Sequence, residues 1–261
     1  MKSLCRRTLS TLAFISQKIT RRIYPSLRGV RIFNYHHVAK AEFAKSASSV
    51  SIDAFTEQMK YLHDAGYTTI YPEDIFKVRD LPKKPVVITF DDGYLDNYEY
   101  AFPVLMEFGF RALIFLITDF MDSVYNEAPM LSWHKIREMK KSGIKFGSHT
   151  KTHRVLTELK EDEIKDELSL SRACIEDKIG EKVTDFCYPK GVFNDRIRAL
   201  VKESGYLCAC VTLAGENNKG SDAYLLRRTW ISPKDTLFDF KTKISGAYDF
   251  VYNILESKKM Y

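Results

Sequence analysis

A chain of 261 residues, 45% hydrophobic and 28% charged, reads as an ordinary globular protein with room for one barrel-sized α/β domain. Its net charge of +6 is concentrated at the start: nine Lys or Arg and no acidic residue occur from Met1 to Lys40. The remainder is near balance, which excludes a dedicated nucleic-acid binder. The cysteines, Cys5, Cys174, Cys187, Cys208 and Cys210, are odd in number and have no C-x-x-C spacing. They read as free, buried thiols of a reducing compartment.

Residues 1–28 form a separate amino-terminal segment. Leu9, Leu12, Phe14, Ile15, Ile19 and Ile23 recur at roughly helical spacing among Arg6, Arg7, Lys18, Arg21 and Arg22. The stretch is too short and too polar to span a bilayer and has no clear cleavage site. Two readings stand side by side, a basic amphipathic helix on an anionic membrane surface and an extra helix packed on the domain. Residues 29–261 then form one domain.

Val30 to Tyr35 reads as a first strand ending at His36-His37, followed by a small and polar loop over residues 39–51. Asp53 is expected to cap a helix that carries Phe55, Met59 and Leu62 on one face and stops at Gly66. A short strand follows at Tyr67 to Tyr71. Val86-Val87-Ile88-Thr89-Phe90 is an apolar, β-branched run typical of a strand buried on both faces. It runs directly into Asp91-Asp92-Gly93-Tyr94. Two carboxylates at the carboxyl end of a buried strand are where an α/β enzyme places its chemistry, since buried charge needs a partner or a metal.

Beyond Tyr94 the pattern gives a helix to Phe108, a strand over Ala112 to Ile117, and a functional-length loop to Met130. Ser132 opens a short helix, and Trp133 beside it is a candidate surface for stacking a sugar. The strand at Ile144 to Gly147 ends in Ser148-His149. If His149-Thr150-Lys151-Thr152-His153 is helical, both imidazoles share a face and can reach one ion. Two His plus one carboxylate hold a catalytic divalent metal with positions left open. A long amphipathic helix spans Glu161 to Ile179, and a strand at Val183 to Tyr188 ends in the abrupt turn Tyr188-Pro189-Lys190-Gly191. A helix (Asn194 to Ser204), two strands (Tyr206 to Val211, Tyr224 to Ile231) and a helix (Leu237 to Ile244) complete a largely parallel arrangement.

Thr89-Phe90-Asp91-Asp92-Gly93-Tyr94, His149-Thr150-x-x-His153 and Tyr188-Pro189-x-Gly191, in that order, resemble the motifs of polysaccharide deacetylases of the NodB-homology type. The resemblance spans roughly residues 30–245 and implies a distorted (β/α) barrel. It implies that Asp92, His149 and His153 bind a divalent metal, usually Zn2+, and that Asp91 is the catalytic base. The Lys190 backbone N–H would join in stabilising the oxyanion, and Tyr94, Tyr188, Pro189 and Trp133 would line the substrate site. One subgroup carries its acid on the first strand as Tyr-His, which Tyr35-His36-His37 matches, so His36 is the expected acid ahead of His37.

Two positions depart from the common family pattern. Arg154 stands where a proline often follows the second His, and Cys187 where an arginine often orients the base. Arg227 or Arg228 is the expected replacement for that arginine, from a later strand end. The implied reaction is metal-dependent removal of N-acetyl groups from a sugar, glycan or glycolipid. O-acetyl ester or other amide hydrolysis at the same site, and an inactive glycan-binding protein, are the competing readings. Cysteine usage favours a cytoplasmic or peripheral-membrane location, while many family members work at the cell surface.

Overall fold

The computed structural model describes residues 29–40 and 48–249. The amino-terminal segment, residues 1–28, therefore lies outside the described residues. Strand β1 (Val30–Tyr35) is followed, past His36, by β2 (His37–Ala39), which pairs in parallel with β3 (Ser49–Ser51). Helix α1 (Ile52–Asp64) buries Phe55, Met59 and Leu62, as its spacing predicts. Its cap is Ser51 rather than Asp53: the extended Ser51 accepts from Ala54 N at 3.2 Å, and Asp53 sits in the first turn.

Next come β4 (Thr68–Thr69), the single turn α2 (Asp74–Lys77) and the central β5 (Pro85–Phe90). A π-helical turn at Asn97–Ala101 leads into α3 (Phe102–Glu107), then β6 (Ala112–Leu116). The long loop contains a small antiparallel hairpin, β7 (Val124–Tyr125) and β8 (Ala128–Pro129). The chain continues through α4 (Trp133–Lys141), β9 (Ile144–Ser148), α5 (Glu161–Ile179), β10 (Asp185–Cys187) and α6 (Asp195–Glu203). It ends with β11 (Cys208–Cys210), β12 (Glu216–Asn217), β13 (Thr229–Trp230) and α7 (Leu237–Ser245).

The main sheet runs β11-β10-β9-β6-β5-β1-β12, with β4 beside β5 and β13 beside β1. Every pairing in it is parallel except that of β12 with β1. Residues 226–230 close it. Leu226 bridges Cys210, with Leu226 N donating to Ala209 O and Val211 N to Leu226 O, both at 2.9 Å. Three residues later Thr229 and Trp230 pair with Phe33 and Asn34 of β1. The expected strand from Tyr224 to Ile231 is thus short, because the chain changes partner from β11 to β1 half-way along it.

The result is a distorted (β/α) barrel. Side chains alternate across each strand. Phe33, Tyr35, Ile88, Phe90, Ile114 and Leu116 form the large core with the helices. The opposite set, Ile32, Val87, Leu113, Phe115, Cys187, Cys210 and Leu226, fills the lumen as a second cluster. At the amino ends of β9 and β10, Lys145 ion-pairs with Glu73 and Asp185, so this buried charge sits at the floor of the barrel. The carboxyl ends of the strands are left to carry the site. Among the described residues no helix is long and apolar enough to cross a membrane.

Candidate metal centre and active site

Strand β5 delivers Asp91 and Asp92 to the barrel mouth, both buried. Asp91 N donates to Tyr35 O at 2.9 Å, so pairing with β1 continues one residue past the strand. Asp92 and Gly93 then turn sharply, with φ of 74° and 88°. A side chain at Gly93 would meet Leu116 at 2.7 Å as well as that strained backbone, so the motif needs glycine here.

The His149–His153 stretch is not helical. It is a loop in which Thr150 and His153 take φ of 68° and 62°, and it converges the two imidazoles by turning, not by helical repeat. Three devices hold it. Thr150 Oγ1 accepts from His153 N at 3.0 Å. Buried Glu167, on α5, accepts from Lys151 N at 2.8 Å and Thr152 N at 2.9 Å, and also from the Thr152 hydroxyl. The rings are fixed as well: His149 Nδ1 lies 2.8 Å from Cys187 O, and His153 Nδ1 lies 2.9 Å from the Tyr125 hydroxyl.

With each Nδ1 committed, both Nε2 atoms face Asp92. His149 Nε2 is 3.5 Å and His153 Nε2 3.8 Å from Asp92 Oδ1. Tetrahedral zinc with bonds of about 2.0 Å has ligand edges of roughly 3.3 Å, so small shifts bring this donor set to coordination distance. Two imidazoles with anchored rings and one carboxylate fit a divalent ion such as zinc. Burial, then the neighbouring His149, lower the His153 pKa to about 4, which keeps its nitrogen available to a metal.

Asp91 is held differently. Arg228, fully buried one residue before β13, donates to Asp91 Oδ1 at 2.6 Å and to Oδ2 at 2.8 Å. It also donates to Thr89 Oγ1 at 3.2 Å and Val211 O at 3.2 Å. Burial alone would raise the Asp91 carboxyl, but the paired guanidinium holds it well below the ordinary carboxylate range. Cys187 sits where an arginine was expected, with its Sγ 3.0 Å from the Arg228 guanidinium. The arginine that grips Asp91 thus comes from the end of the barrel that β13 closes, and of the two candidates it is Arg228. Arg227 instead bonds Ala214 O, away from Asp91.

His36 caps the end of β1. Its pKa is lowered by burial, against the pull of Asp91 and Asp92, and its Nδ1 has no hydrogen-bond partner among the described residues. His37 faces another way: its Nδ1 is 2.6 Å from Asp96, and its ring stacks on Tyr94 at 3.7 Å. Tyr94 in turn hydrogen-bonds Asp92, and burial first, with that carboxylate second, pushes its hydroxyl far above the usual range. A cavity of about 190 Å³ beside His36 is lined by Asn34, Thr212, Arg228, Trp230 and Tyr248.

The structure does not bring every expected residue to this mouth. Tyr188 is fully buried, packed on Phe186 and Phe193, with its hydroxyl donating to Tyr224 O at 3.1 Å. It cannot line a groove. Pro189 is likewise buried and starts a tight turn in which Lys190 has φ of 56°. The Lys190 side chain lies near enough to His153 to act on its charge. Trp133 opens α4 and packs partly buried on the helical core, whereas Trp230 lines the cavity and is 42% exposed. The signal for Arg228 was in the sequence: a charge inside Leu225-Leu226-Arg227-Arg228-Thr229-Trp230, an otherwise strand-like run, needs a buried partner.

Residues 78–209 match the family model for polysaccharide deacetylase. This chain belongs to the polysaccharide deacetylase family. It is 31% identical over 206 residues to YxkH of Bacillus subtilis, covering 77% of this chain and 71% of that one. It is 30% identical over 197 residues to a Staphylococcus aureus poly-beta-1,6-N-acetyl-D-glucosamine N-deacetylase, covering 66% and 68% of the two chains. The solved structure of the Streptococcus pyogenes deacetylase PplD, in complex with acetate, superposes with a TM-score of 0.76 at 25% identity. That match covers 83% of this chain and 98% of the other. The polysaccharide deacetylase described here is therefore a carbohydrate-directed hydrolase, and the mouth of its barrel is the place to derive the chemistry.

Proposed function

We propose that this polysaccharide deacetylase hydrolyses the N-acetyl groups of an N-acetylglucosamine-containing glycan, releasing acetate and a free amine. One observation carries the reading. A metal-type triad, Asp92–His149–His153, and a second, Arg228-clamped carboxylate, Asp91, meet at one barrel mouth. A purely glycan-binding protein would have no use for two adjacent buried carboxylates with separate partners.

Asp91 is the proposed base, the role that needs a carboxylate about 3 Å from the attacking water. The clamp keeps it ionised and aimed, but a carboxylate held so low is a weak base. Asp92, His149 and His153 would hold a divalent ion of the zinc type, which would supply acidification of the water and polarisation of the acetamide carbonyl. The water oxygen adds to the acetamide carbon, giving up its proton to Asp91 and leaving a tetrahedral oxyanion, and the C–N bond breaks as that oxyanion collapses to acetate. His36 delivers the proton that the departing nitrogen needs. Burial lowers its pKa, which makes the imidazolium a stronger donor but a scarcer one at neutral pH, so turnover falls as it deprotonates. The Lys190 backbone N–H, in the tight turn after β10, is the proposed second stabiliser of the oxyanion.

Trp230, exposed at the rim of the cavity beside His36, offers an apolar face to a sugar ring. The Staphylococcus aureus relative's name makes β-1,6-linked poly-N-acetylglucosamine the first substrate to try. The test is acetate release from N-acetylglucosamine oligomers and from O-acetylated sugars, with and without chelator. Chelator-sensitive release from the N-acetylated set supports the proposal. Release from the O-acetylated set alone would move the enzyme to the esterase reading. The basic segment 1–28 is proposed to rest on an anionic membrane, placing the enzyme at a membrane surface; co-sedimentation with anionic vesicles, with and without that segment, tests it.

A further inference from the structure

We propose that Asn34 is the residue by which this site selects its sugar: its buried amide hydrogen-bonds a hydroxyl of the pyranose whose nitrogen departs, seated in the cavity beside His36. The role rests on the deacetylase reading above. Asn34 and His36 are two apart at the end of β1 and line the same cavity. Parallel pairing sets Asn34 beside Trp230, which lines the cavity together with Arg228, two residues before it. Neither the metal triad nor the Arg228 clamp uses Asn34. It is 2% exposed, and its Oδ1 has no hydrogen-bond partner among the described residues. A buried polar group without a partner is costly and calls for a physical explanation. A sugar hydroxyl supplies one, since it both donates and accepts and so satisfies whichever end of the amide it meets.

The cavity has room for such a ligand. Its volume of about 190 Å³ is more than tenfold the ~10–15 Å³ that one water needs. Two of its walls are the rings of Trp230 and Tyr248, and both rest on one buried lysine. Lys243, 2% exposed, has its Nζ 5.8 Å from the Trp230 ring and 4.8 Å from the Tyr248 ring, and donates to Trp230 O at 2.8 Å. Aromatic faces held in place, with a polar group at depth, suit a ring that is apolar on its faces and polar at its edge. His36 fixes which ring enters. It protonates the departing nitrogen in the mechanism above, so the sugar that carries this nitrogen lies on the His36 side, within reach of Asn34.

The test titrates the zinc-loaded full-length protein with methyl glucosaminide and its 3-, 4- and 6-deoxy analogues, followed by calorimetry. These sugars carry a free amine and have no acetyl group to lose, so binding is read whether or not the protein is a deacetylase. Wild type should bind one of the deoxy analogues about 3- to 10-fold more weakly than the parent, the usual worth of one hydrogen bond. In Asn34→Leu the parent should weaken by the same factor and the discrimination should vanish. Asn34 loses the role if wild type binds no sugar, if it binds the whole set alike, or if the discrimination persists in Asn34→Leu. If Asn34→Leu does not fold, the side-chain amide resonance of Asn34 in wild type decides: a shift on saturation with the parent sugar upholds the contact, and an unmoved resonance rejects it. Acetate release is scored separately. Discrimination without acetate release from any sugar would keep the contact and reject the reaction, whereas release without discrimination would reject Asn34 alone.

Discussion

Arg228 reaches across 137 residues of sequence to grip Asp91 with both arms of its guanidinium, at 2.6 and 2.8 Å, in a site where neither side chain touches solvent appreciably. Removing one partner of a buried pair leaves an uncompensated charge, which costs about 3–5 kcal/mol. Arg228→Met should therefore lower the unfolding free energy by about that much, read by chemical denaturation. Arg228→Lys keeps the charge but not the fork, and loses the bonds to Thr89 and Val211. It should recover part of the stability while acetate release stays depressed. Wild-type turnover in Arg228→Lys would show that the fork does not orient the base.

The metal triad makes a sharper prediction. Asp92→Ala, His149→Ala and His153→Ala should each lose bound metal and activity together, measured by elemental analysis after dialysis. Asp91→Asn should instead keep the metal and lose turnover, because Asp91 belongs to the Arg228 clamp and not to the triad. Full metal content in any of the first three would remove that residue from the ligand set.

Glu167 touches no ligand side chain, yet it anchors the loop between the two histidines by three hydrogen bonds. Supporting groups of this kind typically change metal affinity by roughly 10–100-fold. Glu167→Ala should weaken metal binding within that range while the fold persists, as judged by circular dichroism and a chelator competition. Tyr125→Phe, which deprives His153 Nδ1 of its partner, should act in the same direction.

How far the sequence reveals this arrangement depends on the range of the interactions. Strand β5, its two carboxylates and the alternation of strands with helices follow from local patterns, and the structure keeps them. The ligand loop does not follow, because His149 and His153 at i and i+4 suggest a helix while Thr150 and His153 are in fact left-handed. Glu167 supplies the bonds that make that loop affordable, and its role is invisible without the packing of α5. Tyr188 shows the reverse case: a motif residue that looks like a site residue from its neighbours but whose ring completes the core. Arg228 is legible only as one of two adjacent arginines in a strand-like run, and the choice between them, like the place of Trp230, depends on the closure of the barrel by residues 226–230.

His36 and His37 are adjacent in sequence and divided in function by what they face. His36 lines the cavity beside Arg228, whereas His37 is engaged by Asp96 and stacked on Tyr94. His36→Ala should cut turnover by about 10²–10⁴-fold, the usual worth of a general acid, with metal content unchanged. It should also remove the alkaline limb of the pH–rate profile. His37→Ala should leave that limb in place, and a profile altered only by His37→Ala would transfer the role of acid to it.

The metal-free protein should lose stability as pH falls from 6.5 towards 4, because burial, then His149, have moved His153 from 6.5 to about 4. In that window the unfolded chain takes up a proton that the native site refuses, so acid favours unfolding. Above the window this contribution is fully present and flat. His36, also lowered by burial, adds in the same sense. Asp91 adds in the same sense from about pH 5 downward, because the unfolded chain then takes up a proton that the clamped native carboxyl refuses. Asp185 and Asp235, which burial raises, work in the opposite direction, so the difference between two proteins is the useful quantity. Melting temperatures of chelator-stripped wild type and His153→Gln should converge as pH is lowered through the window, because the glutamine side chain has no proton to take up. Parallel curves would mean that His153 titrates alike in the folded and unfolded chain.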